Sequence, residues 1–512
     1  MAATILLVII ALFTFASAYK ILGLFPYEGK SHFISFEPLL KALAAKGHEV
    51  TVISHFPQKT PLPNLNDIDI GGSFSSTGVI NLDYLTGSRF QKYLTPIVLA
   101  YLGYQSCVSG LSNKNFQNFI KTDSKFDLII SEAFNTECFL GLVNKLKSPP
   151  LILIHSCILL PWQDDILAMP SNPAYILNHF MPFSIPLSFF ERVENTILYI
   201  FHHFVFKLFI DIPGKIIARS HFGSDIPSLT DISLNASVLL INTHFTSSGA
   251  QPMVPGYIEV GGMHVETPKA LPKHIEKWIN ESTHGVIYFS LGSMIKGHSF
   301  PEDKRQMFIR AFSRFPQRVL WKWEADTMPE KPENIMIEKW MPQFDILCHP
   351  NVKAFIAHGG LLGVTESVHC GVPLIVMPQF GDQFTNAKAI EANGGGVILE
   401  YRSLDEESIV NALKTVLDPS FNKKAKELSA RFRDRPMPPL ETAIYWVEYV
   451  ARHGGAPHLR TAAVGMPLYQ YLLLDVITFL SVILFILMYI SFVITRAIYR
   501  KIFKIKEKVK QN

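Results

Sequence analysis

The tripeptide His358-Gly359-Gly360 stands between an apolar run, VKAFIAH (352–358), and an amphipathic stretch that begins at Leu361. A strand that ends in glycines and opens a helix offers unbonded backbone N–H groups and the positive end of a helix dipole, a setting suited to a diphosphate. Taken alone the tripeptide says little, since glycine is common at strand-to-helix turns. It gains meaning from its neighbours: Trp340-Met341-Pro342-Gln343 before it, then Gly363, Glu366, Gly371-Val372-Pro373 and Asp382-Gln383 after it. Two further segments hold suitable groups at strand ends. Ser290, Gly292 and Ser293 form a turn after VIYFS, and His32 follows the first strand at the start of a helix. An imidazole changes charge near neutrality and can take a proton from an attacking hydroxyl.

The elements that must position these groups alternate. KILGLFP (20–26), the amphipathic FISFEPLLKALAAKG (33–47) and HEVTVIS (48–54) open a parallel βαβ unit, and FDLIIS (126–131), LILIHS (151–156) and VLLINTHF (238–245) extend the sheet. A loop rich in Pro, Gly and Ser, residues 247–256, reads as an interdomain linker. A second alternation follows, with strands GVIYFSLG, RVLWKW, VKAFIAH, PLIVMP and GVILE, through about residue 449. The fold class is therefore α/β, with an N-terminal domain over 19–250 and a C-terminal one over 257–453. Open parallel sheets bind ligands beyond the carboxyl ends of their strands, so two facing sheets predict one shared cleft.

The ordered set from Trp340 to Gln383 resembles the signature of the UDP-glycosyltransferases. The likeness extends over nearly the whole chain, including YWVEYVARHGGAPHLR (445–460), and is closest to the animal, insect-type, membrane-bound enzymes. It implies two facing Rossmann-like domains of the GT-B type, a UDP-sugar co-substrate and no prosthetic group or metal. By this resemblance Trp340 stacks on uracil, Met341 and Gln343 hold base and ribose, and Glu366 binds the ribose hydroxyls. His358, Gly359, Gly360 and Gly363 meet the diphosphate, Asp382 and Gln383 read the transferred sugar, and the Ser290-Gly292-Ser293 turn closes on the nucleotide. Many plant relatives have Ser where this chain has Gly363, so a phosphate contact there uses the backbone. His32 matches the family's general base, and its carboxylate partner is Glu132 or Glu137, where the family usually has Asp. The implied reaction is a single in-line, inverting displacement, with the leaving charge met by backbone N–H groups and His358. Insect-type relatives favour UDP-glucose, with UDP-glucuronate next; a lipophile-binding protein without turnover is the competing reading.

Composition limits the setting. The 512 residues exceed one core, and 48% are hydrophobic, including 38 Phe. Residues 1–18 hold an apolar run ending in Ala16-Ser17-Ala18, as a cleaved signal peptide does. After a juxtamembrane segment (454–470), the apolar stretch 471–495 predicts one transmembrane helix; Val476 to Thr495 carry no formal charge. The tail, 496–512, carries +6, leaving the rest at −2, which gives no case for nucleic-acid binding by the body and puts the tail in the cytosol. Lys508 and Lys510 have the spacing of an endoplasmic-reticulum retrieval signal, and the sequons at Asn235 and Asn280 agree with a lumenal, single-pass type I protein. Apolar segments around Tyr84 to Leu111 and Ile158 to Ile210 predict a small lipophilic hydroxyl acceptor; self-association is left open. Five cysteines, an odd number without CxxC spacing, read mainly as buried thiols.

Overall fold

The structure, a computed structural model, describes residues 18–72, 91–181 and 185–510. The signal-peptide reading, but for Ala18, and the acceptor-segment residues around Tyr84 lie outside the described residues.

The first sheet contains β1 (Lys20–Phe25), β2 (Glu49–Ser54), β3 (Leu65–Asp69), β4 (Leu128–Glu132), β5 (Leu151–His155), β6 (Val238–Ile241) and β7 (Tyr257–Glu259). Their order is β3-β2-β1-β4-β5-β6-β7, and every pairing is parallel. The central strands are continuous apolar runs because both faces are covered: β4 and β5 are buried at every residue, whereas the edge strand β3, LNDID, is only partly buried. Alternate residues supply the two cores. Leu22, Leu24 and Ile129 join one, and Ile21, Val50, Val52 and Ile130 join the other.

The second sheet contains β8 (Val286–Ser290), β9 (Arg318–Lys322), β10 (Ile335–Glu338), β11 (Val352–Ala357), β12 (Leu374–Val376) and β13 (Gly396–Ile398), in the order β10-β9-β8-β11-β12-β13, again wholly parallel. Both sheets thus reverse their winding beside the first strand, between β1 and β4 and between β8 and β11. Those switch points open crevices at the strand ends.

Two boundaries differ from the sequence reading. β7 pairs with β6, so the loop 247–256 lies within the first sheet instead of between domains. Three residues of strand after such a loop carry too little pattern to be assigned to either side. The helix Pro439–His453 returns to the N-terminal half, where Ile444, Val447 and Val450 share a core with Leu40 and Leu43, and Glu448 pairs with Lys46 at 2.8 Å. The second sheet's own body therefore ends before residue 453.

The cysteine reading is corrected as well. Cys107–Cys138 and Cys348–Cys370 are disulfides, with Cα separations of 6.1 and 4.8 Å, and Cys157 alone is a buried thiol. Their sequence separations of 31 and 22 residues match no framework spacing; only the fold brings each pair together. Disulfides persist in oxidising compartments. Cys107→Ser is expected to lower stability by about 2–4 kcal/mol, the loop-closure scale, while Cys157→Ser changes little; thermal unfolding under non-reducing conditions checks both.

Residues Thr461–Asn512 form a separate unit. Its helix Leu474–Lys510 includes a stretch, Leu474–Phe503, long and apolar enough to cross a membrane and left uncovered by the other described residues. Lys92–Ser112 and Phe189–Phe222 also meet that length and composition, but both are partly buried within the first unit. In the second of these, His202 is fully buried and bonds Asn178 and the Lys92 carbonyl.

Candidate active site

His32 lies in the first turn of the helix Lys30–Ala45, which leaves the carboxyl end of β1. Glu132 is the last residue of β4, the neighbour of β1 across the switch point, and Ser156 follows β5 directly. Three adjacent parallel strands therefore deliver three polar side chains to one place. The Nδ1 of His32 is 2.6 Å from Glu132 Oε1 and 2.9 Å from Ser156 Oγ. A carboxylate only accepts, which puts the proton on Nδ1 and leaves Nε2 as a lone pair. The rings of Tyr27 and Phe134 flank the imidazole, with centroids at 4.7 and 4.5 Å.

Of the two acids left open by the sequence, Glu132 is the one bonded to His32. Glu137 opens the short 3-10 helix Glu137–Leu140, partly covered, with a buried Oε2 that has no partner among the described residues, and desolvation pushes its carboxyl up to about 8. It is a neutral acid at physiological pH.

Opposite, His358 follows β11 and its ring packs against the turn after β8. Gly292 has φ +79°, and a Cβ there would come within 2.6 Å of the imidazole. Gly359, at φ +89°, has a second left-handed turn that aims the chain into the helix Leu361–Cys370. This helix starts at Gly360 without a side-chain cap, so its first N–H groups are open to an anion. Burial, then the Lys322 ammonium, pushes His358 down to about 4. It is uncharged at neutral pH, so its expected help to a leaving diphosphate reduces to hydrogen bonding.

Trp340 is 63% exposed, with the ammonium groups of Lys30 and Lys322 at 5.5 and 5.9 Å from its ring centroid. Met341 is buried beside it, and Gln343 donates to Glu366 Oε2 at 2.7 Å. Gly363 lies below, where a Cβ would touch the Gln343 amide at 3.2 Å. Asp382 opens the helix Gln383–Ala392 and accepts from Asn386 at 2.8 Å; burial raises its carboxyl and nearby His32 opposes that rise. The Gln383 carbonyl is used by its own loop, accepting from the N–H groups of Gln379 and Phe380, which leaves its amide N–H groups for a ligand. Ser290 Oγ accepts from the Gly292 N–H, and Ser293 is exposed at the mouth.

The expected site residues other than Glu132, Glu137 and Gly359 line one cleft, whose other wall is apolar, with Leu94, Val98, Leu102, Leu160 and Phe180. Sequence reasoning missed Ser156, Lys322 and His264, which stands 3.9 Å from Glu366. Only for Ser156 was there a signal, since LILIHS ends its strand beside FDLIIS as Glu132 does.

The chain was compared with known proteins. A family model described as UDP-glucoronosyl and UDP-glucosyl transferase matches residues 83–509. The chain is 46% identical over 478 residues to UDP-glycosyltransferase UGT5 of Dactylopius coccus, covering 92% of this chain and 90% of that one. It is 33% identical over 510 residues to UDP-glucuronosyltransferase 1A7 of Mus musculus, covering 95% and 93%. Among solved structures, UDP-glucose: anthocyanidin 3-O-glucosyltransferase in complex with UDP shares the fold, with a TM-score of 0.58 at 16% identity over 85% of this chain and 99% of that one. A match this long, at this identity, with both doubly wound sheets in place, makes the chain a member of the UDP-glucuronosyl and UDP-glucosyl transferase family.

Proposed function

We propose that this UDP-glycosyltransferase transfers a hexose, from UDP-glucose in preference to UDP-glucuronate, onto a hydroxyl of a small lipophilic acceptor, with inversion. The observation that carries the reading is the 2.6 Å His32–Glu132 bond, with His32 on one wall of a cleft whose other wall holds the donor motif. An acceptor hydroxyl gives its proton to His32 Nε2 as its oxygen attacks the anomeric carbon, and Glu132 steadies the imidazolium that forms. UDP leaves toward the open helix start at Gly360. Trp340 supplies the stacking face, Glu366 the ribose contact, and Asp382 with Gln383 the sugar contact. The wall of Leu94, Val98 and Phe180 favours apolar acceptors. The disulfides and the helix Leu474–Lys510 suit a type I protein of the endoplasmic-reticulum membrane with its body in the lumen.

The test is UDP release by membranes expressing the full chain, with a phenol panel and UDP-glucose, UDP-glucuronate, UDP-galactose or UDP-xylose. Glucoside as the main product supports the reading; UDP binding without turnover on any donor replaces it with a lipophile-binding role. In the same assay Trp340→Ala is expected to raise the KM for the donor at least about fivefold, since stacking on a base is worth about 1–3 kcal/mol. The acceptor KM should stay within about twofold, because Trp340 stands on the nucleotide side of the cleft.

A further inference from the structure

His264 follows β7 in the segment Val260-Gly261-Gly262-Met263-His264, and its side chain is 3% exposed. The Leu362 backbone lies near enough to act on the ring, yet among the described residues neither ring nitrogen completes a hydrogen bond of normal geometry. A buried imidazole so poorly satisfied is an unusual choice under a helix where an apolar side chain would pack without penalty. Its Nε2 is 3.9 Å from Glu366 Oε1, while Glu366 Oε2 is held by Gln343 at 2.7 Å. One carboxylate oxygen is therefore tied, and the other faces the imidazole about 1 Å beyond hydrogen-bond distance.

We propose that His264 is a positioning residue of the donor site: its Nε2–H bonds Glu366 Oε1 when Glu366 is ionised, and so holds the carboxylate in the form that grips the donor's ribose. The proposal rests on the reading of Glu366 as the ribose ligand. A carboxylate accepts from two ribose hydroxyls only when ionised; a protonated acid spends one oxygen as a donor.

The surroundings work against ionisation. Burial pushes Glu366 up to about 7, with the Gln343 bond opposing and Asp345 adding to the rise. The other titratable groups in reach are Tyr288 of β8, whose buried phenol is itself raised, and His369 on the same helix, which acts on His264. Burial pushes His264 down to about 4, so it meets Glu366 as a neutral donor. Ligand affinity should then follow the ionisation of Glu366. It is full above about pH 7 and falls about tenfold per unit below. Losing the Nε2–H donor moves that break to higher pH.

The experiment is UDP binding by the detergent-solubilised full chain from pH 6 to 9, for the native protein, His264→Phe and His264→Gln. The same titrations with 2′,3′-dideoxy-UDP give the arm without ribose hydroxyls. For His264→Phe, UDP affinity is expected to drop about tenfold at pH 6.5 and to approach the native value at pH 9, the break having moved up by about one unit. His264→Gln, which keeps an N–H, should lie between, and it carries the comparison if the Phe variant does not fold. Dideoxy-UDP should bind without a break near neutrality in all three. A native break that is unmoved in the variants, or a loss equal at every pH, overturns the role of His264. Equal, pH-independent binding of UDP and dideoxy-UDP by the native protein overturns instead the ribose role of Glu366, and the proposal with it.

Discussion

His32→Ala is expected to lower kcat by about 10²–10⁴-fold, the usual contribution of a positioned general base, while the affinity for UDP stays within about twofold. The separation follows from where the residue stands. His32 leaves β1 of the first sheet, whereas the residues assigned to the nucleotide leave β8 and β11 of the second or lie between β10 and β13. Removing the imidazole also takes away a ring packed on both Tyr27 and Phe134, and Glu132 loses the N–H it accepts. A fall in kcat alone could reflect a collapsed pocket, so the discriminating measurement is twofold: single-turnover glucoside formation and UDP binding on the same preparation. Lost turnover with intact UDP binding supports the base assignment. Native turnover in the variant means that another group, or the acceptor's own ionisation, removes the proton.

The sequence showed the two sheets because buried parallel strands are unbroken apolar runs, and FDLIIS, LILIHS and VIYFS need no context to be read as strands. The residues assigned to the donor were legible as a group, because Trp340 to Gln383 are near one another in the chain and their order is itself a pattern. The acceptor side was different. His32, Glu132 and Ser156 are brought together from positions 100 and 124 residues apart, so nothing local records that they touch. Glu137 looked equivalent to Glu132 because both stand within a few residues of one strand end; only the fold separates the acid at the end of β4, which bonds His32, from the one that opens the 3-10 helix. His264 gave no signal for the same reason: the carboxylate it faces, Glu366, is far along the chain and nothing local records the approach. The disulfides and the returning helix Pro439–His453 likewise depend on which surfaces meet, a property of the packed chain.

The two acids give the second large effect. Glu132→Gln is expected to cost about 10²–10⁴-fold in kcat, because an amide can donate to Nδ1 as readily as accept from it and so stabilises the wrong tautomer. Glu132→Asp, the residue usual in the family, keeps the charge but draws the carboxylate back by a methylene. With His32 Nδ1 now at 2.6 Å from Glu132, that retreat breaks the bond unless the helix Lys30–Ala45 follows. The Asp variant should therefore fall between native and Gln, with Ser156 holding Nδ1 in part. Glu137→Gln is the control and should keep kcat within about twofold, since an amide replaces an acid that is already neutral at physiological pH. Its stability should change in a defined direction. Burial raises the Glu137 carboxyl from 4.5 to about 8 in the folded chain, so the unfolded state sheds its proton first as pH rises. Glu137 thus contributes most stability below pH 4.5 and progressively less up to about 8. Substitution by Gln removes that dependence, so the variant should melt higher than the native chain at pH 8 and close to it at pH 5. If Glu137→Gln instead lost turnover as Glu132→Gln is expected to, the proton taken by His32 would have to pass through the buried acid, and the pairing seen at 2.6 Å would be only half of the catalytic device.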